Sequence, residues 1–184
     1  MERGIIPWRR YAFLVDMIEK INERKLCNGR TALQKFIYFL QELYQVDCGY
    51  DFRFYTYGPF ACEILCDLDT LESCKGIHAE FVGGYGGYDY TPSSMSERFK
   101  SKEPDFLREN EDKINKMLLQ FGNYQAKDLE LYATIVWVDR SLKAKKKERD
   151  ENIIASLVND LKPKFDRSEI DTKVSWLEGR GYIL

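Results

Sequence analysis

The stretch from Leu129 to Leu142 reads as a helix that is apolar on more than half of its surface. A helix with so wide an apolar face cannot lie on the outside of a small domain; other elements must wrap it. The remainder of the chain therefore has to supply amphipathic neighbours around a central rod. With 184 residues, 44% hydrophobic and 32% charged, it has the length and composition to do so. The longest apolar run, Ala133 to Val138, falls far short of a bilayer span.

Amphipathic neighbours are easy to find. From Trp8 to Lys25, Tyr11, Leu14, Val15, Ile18 and Ile21 recur at helical spacing until Asn28-Gly29. Thr31 to Gln34 fits a capping box opening a second helix, with Leu33, Phe36, Ile37, Leu40 and Tyr44 as its inner stripe. Phe52 to Tyr57 alternates like a short strand, and Gly58-Pro59 reads as a turn placing Pro59 at the start of a third helix. That helix carries Phe60, Ile64, Leu65, Leu68 and Leu71. Ile77 to Val82 and Tyr88 to Thr91 then form a hairpin around the glycine-rich residues 83–87. A phosphate-binding loop is the other reading of those glycines, but it needs a helix next, and a strand follows.

Ser94 with Glu97 suggests another capping box, and Pro104 to Phe121 is periodic and helical. Beyond the central rod, Ile153 to Leu161 and Ser168 to Leu177 add two helices, the first stopped by Pro163 and the second capped by Ser168. The expected fold is α+β and mainly helical: a winged-helix-like part with a β-hairpin over residues 1–103, and a C-terminal helical part over 104–184, packed together as one globule.

The chemistry-bearing residues are few. The five cysteines, an odd number, point to reduced thiols, and the N-terminal residues are too short and charged for a secretory signal; a cytoplasmic location is expected. Cys62, Cys66, Cys74 and His78 are the candidate metal ligands. They lack the tight paired-cysteine turns of structural zinc sites, so ordinary thiols and no metal or other cofactor are expected. His78 is the only histidine, and a Cys74–His78 pair has no third orienting group, so no catalytic set is assigned.

Two further segments carry a resemblance. Arg30 to Leu40 contains Leu33-Gln34-Lys35 followed by Phe36-Ile37-Tyr38, and Phe54 to Phe60 contains Tyr57-Gly58-Pro59-Phe60. In this order, with a hairpin to follow, they resemble the YwgA-like proteins and the related Panacea (SocA-like antitoxin) domain, over roughly residues 8–92. The resemblance implies a winged-helix-like fold, a bacterial, archaeal or phage origin, no enzymatic activity, and a role in binding a partner protein such as a toxin. For Gln34 and Lys35, the polar members of an apolar helix, the residues themselves suggest hydrogen bonds to the Gly58-Pro59 backbone. Partner recognition is the competing role for them and for Tyr38 and Tyr57.

A protein-interaction or regulatory module is thus the expected function, with Tyr85, Tyr88 and Tyr90 as aromatic contact candidates and a homodimer left open. The alternative is a winged-helix DNA-binding regulator. A net charge of −2 and a pI near 5.6 disfavour it, as do Glu63, Asp67, Asp69 and Glu72, expected to face outward on the would-be recognition helix. Lys145, Lys146 and Lys147 form the one basic cluster that such a role could use.

Overall fold

The computed structural model describes residues 6–82 and 87–184. Eight helices and two antiparallel hairpins make up these residues. Helix α1 (Trp8–Glu23) buries Phe13, Leu14, Met17, Ile18 and Ile21, and α2 (Arg30–Tyr44) is enclosed from Ala32 through Leu40. Strands β1 (Arg53–Tyr55) and β2 (Gly58–Phe60) pair with Phe54 opposite Pro59. Helix α3 (Cys62–Ser73) leads to β3 (Ile77–Val82) and β4 (Gly87–Pro92), which pair from Ile77–Pro92 to Val82–Gly87. The short α4 (Ser96–Lys100) precedes α5 (Pro104–Phe121), α6 (Ala126–Ala144), α7 (Glu151–Leu161) and α8 (Arg167–Glu178).

The fold is α+β and mainly helical, with α6 as its rod. Every residue of α6 from Leu129 to Val136 is buried. One continuous apolar cluster draws on α1, α2, α3, α5, α6, α7 and α8, crossing position 104 without a break. Leu33, Ile37, Leu40, Ile64 and Leu68 all lie within it. The stacked rings of Phe39 and Phe121, 4.2 Å apart, join α2 to α5.

Several local expectations need correction. Pro59 does not open a helix: it lies in β2, and α3 begins three residues later at Cys62. A two-stranded hairpin has free edges, so a residue without an N–H fits there. The two hairpins are separate sheets: β1 pairs with β2, and β3 pairs with β4. The capping boxes at Thr31, Ser94 and Ser168 are not used either. Helix α2 starts at Arg30 behind an extended Gly29, α4 starts at Ser96, and α8 starts at Arg167 behind Asp166. Among the described residues only α7 has a side-chain cap: Asp150 Oδ1 accepts from the Ile153 N–H at 2.7 Å.

Candidate functional site

The β1–β2 hairpin is too short to hold itself, and buried polar side chains grip its backbone. The amide of Gln34 accepts from the Ala61 N–H at 2.9 Å and donates to the Ala61 carbonyl at 2.8 Å. From the next position on α2, Lys35 Nζ donates to the carbonyl of Pro59 at 2.6 Å. Lys162, from the end of α7, donates to the carbonyl of Thr56. The hairpin is therefore fastened from both ends of the chain. Gly58, at φ +84°, completes the grip, because a Cβ there would sit 3.1 Å from Thr134 Oγ1 on α6.

The charges behind the hairpin are not balanced pair by pair. Glu130, buried on α6, takes Lys162 Nζ at 2.7 Å and Lys164 Nζ at 2.8 Å. Lys35 is almost wholly buried, and among the described residues no carboxylate is bonded to it. Burial pushes its ammonium down to about 8; Glu130 opposes the shift and Lys162 adds to it.

In front of the clamp is a cavity of about 290 Å³. One wall is the start of α2, with Arg30, Thr31, Gln34 and Lys35. The other is the hairpin, with Tyr55, Thr56, Tyr57, Gly58 and Phe60, and Leu65 of α3 closes the end. Tyr55 and Tyr57 stand out from it, 58% and 62% exposed, with Tyr55 edge-on to Phe60 at 5.5 Å.

No protein-family model matches this chain, and no curated protein matches it. The geometry carries the functional reading.

Of the residues singled out in the sequence, Gln34, Lys35, Tyr57, Gly58 and Pro59 come together here. Tyr38 does not: it lies in the core against Phe52 at 5.1 Å, and burial raises its hydroxyl well above the usual phenol range. Tyr85 lies outside the described residues. Tyr88 is half-buried, with the Arg30 guanidinium 4.1 Å above its ring. Tyr90 is buried rather than exposed. Arg30 Nε donates to its hydroxyl at 2.9 Å, and Asn22 donates to its carbonyl at 2.7 Å. Burying that ring is how the β3–β4 hairpin fastens to the helices.

Asp67 also departs from expectation. It faces inward, taking Arg10 Nη2 at 2.9 Å and the Tyr50 hydroxyl at 3.0 Å, which ties α3 to α1. Asp69 and Glu72 do face solvent. Cys62, Cys66 and Cys74 are exposed, and among the described residues no three His, Cys, Asp or Glu side chains converge on a metal position. Lys145, Lys146 and Lys147 are exposed in the α6–α7 connection, away from the hairpin cavity's lining. Among the described residues no helix is long and apolar enough to cross a membrane.

Sequence reasoning missed Tyr55, Phe60 and Leu65 as pocket residues, and Lys162 and Glu130 as part of the clamp. Glu130 did leave a signal, as a lone acid within the most apolar helix. Lys162 left none, since beside Pro163 it reads as a helix end.

Proposed function

We propose that this chain is a non-catalytic recognition module that takes a segment of a partner protein into the pocket between α2 and the β1–β2 hairpin. One observation carries the reading: two largely exposed tyrosines stand on a hairpin whose backbone is immobilised by Gln34, Lys35 and Lys162. Exposed aromatic rings on a rigid backbone bind with little ordering cost, and tyrosine is among the side chains that dominate interface energies. The likeness of the α2 and hairpin motifs to the antitoxin-related family makes a toxin the partner class to try first, with the chain acting antitoxin-like in the cytoplasm.

DNA binding is the second reading, favoured by the exposed lysines at 145–147 and opposed by Asp69 and Glu72 on α3. Titrating the protein with the product of the adjacent gene and with duplex DNA decides between them. Saturable protein binding that weakens in Tyr55→Ala and Tyr57→Ala supports recognition through the pocket. Salt-sensitive duplex binding that disappears when the lysines are changed overturns it.

A further inference from the structure

A second surface lies where α6 meets α7. Where α6 and α7 pack together, a groove of about 340 Å³ runs between Trp137 and Leu142 on one side and Leu157 and Leu161 on the other. Leu157 and Leu161 are one helical turn apart and remain 38% and 47% exposed. Exposed apolar residues gathered beside a groove and rimmed by polar side chains mark interaction sites.

The rim is basic. Lys145 and Lys147 line the groove, with Lys143 at the end of α6 and Lys146 exposed beside them. Arg149, at the end of the same run, is committed to buried Asp139 at 2.7 Å. Among the described residues the rim lysines have no such carboxylate, and Asp160 is the one acid lining the groove. An apolar floor with a positive edge matches a helix that carries leucine-type residues on one face and carboxylates beside them.

We infer that the α6–α7 groove is a docking site for an acidic amphipathic helix of a partner protein. The site shares no lining residue with the hairpin pocket, so it stands or falls separately from the function proposed above. Duplex DNA could use the lysines but would have no use for the leucines. An anionic membrane could use both, but would not require a helical register of apolar residues.

A fluorescent peptide with leucines at i, i+3, i+4 and i+7 and glutamates between them is the probe, titrated against the full chain by anisotropy. Saturable binding is expected, with affinity falling on the order of tenfold in a Leu157→Ser/Leu161→Ser variant and again in Lys145→Glu/Lys147→Glu. The lysine variant should instead gain affinity for the same peptide with lysines in place of glutamates. That gain cannot arise from misfolding. The inference is overturned if the peptide fails to bind, or if a scrambled peptide of equal composition binds as well. It is also overturned if the leucine changes are silent while duplex DNA or phosphatidylserine vesicles compete through the lysines alone.

Discussion

Lys35 and Pro59 are joined by a 2.6 Å hydrogen bond from a buried ammonium to a carbonyl that forms part of a pocket-lining hairpin. Pro59 has no N–H to fix its own strand, so its carbonyl is the handle by which α2 positions that part of the hairpin. The arrangement ties the shape of the exposed surface to one interior side chain.

Lys35→Met keeps the length of the side chain and removes the donor, leaving the Pro59 carbonyl unpaired. A loss of about 1–3 kcal/mol in urea unfolding near neutral pH is expected for an orphaned buried acceptor, offset in part by relief of the buried charge. The pH dependence separates the two effects. The folded-state pKa of Lys35, about 8, lies below its ordinary value of 10.5, so between those values the unfolded chain binds more protons than the folded one. The penalty for burying the charge is full below pH 8 and fades as pH rises toward 10.5. Wild-type stability relative to Lys35→Met should therefore increase across that window. A difference that is flat from pH 7 to 10 would contradict the assignment.

Glu130→Gln tests the other half of the clamp. The change leaves Lys162 buried with its charge unmatched, and breaking such a pair costs about 3–5 kcal/mol. Because Glu130 also favours the charged form of Lys35, its loss should lower the Lys35 pKa further. NMR titration of the Lys35 Nζ resonance would read that shift directly. If the variant melts with wild-type stability, Glu130 and Lys162 do not hold each other in solution.

Gly58→Ala puts a Cβ 3.1 Å from Thr134 Oγ1 at a backbone angle of +84°. The combined strain should cost about 1–3 kcal/mol. Gly58→Ala combined with Thr134→Ser tests the cause. The second change keeps the hydroxyl, which already bonds the Glu130 carbonyl, and adds freedom to move it. Partial recovery in thermal melts is expected if the contact, rather than φ alone, sets the cost.

What was legible in the sequence follows from how local each feature is. Helix α6 was plain because its apolar surface states its own burial, and α5 because Pro104 opens a strongly periodic run. The sequence reads Thr31 as the cap of α2, whereas the residue at the cap position is Gly29. Arg30 is fixed by the Tyr90 hydroxyl and the Tyr88 ring, partners about sixty positions away, and they outweigh a Thr31 capping box. Pro59 was misplaced for a similar reason. A Gly-Pro pair before an apolar stretch has the local chemistry of a helix entrance, whereas here Pro59 pairs with Phe54 and its carbonyl is held by Lys35. Half of the clamp, Gln34 and Lys35, could be named because polar residues amid an apolar helix call for partners. The other half could not, because nothing along the chain links residue 162 to residue 56.

The exposed aromatic pair gives the functional prediction. Tyr55→Ala and Tyr57→Ala should each weaken capture of a partner protein by about 1–2 kcal/mol, in the usual range for tyrosine hot spots. Both rings are largely free in this chain, so thermal stability should stay close to wild type. Tyr88→Ala is the contrast. Its ring lies under Arg30 and stacks on Tyr90, so the change should lower stability before it affects any interface. Changing Lys145, Lys146 and Lys147 to Glu should leave binding at the hairpin pocket intact. Under DNA binding the order inverts: the lysine variant loses duplex affinity, the tyrosine variants keep it, and affinity falls steeply with salt. Isothermal titration of these variants against the adjacent gene product and a duplex, at two salt concentrations, gives one pattern or the other. Tyrosine variants that bind the partner like wild type would end the pocket reading.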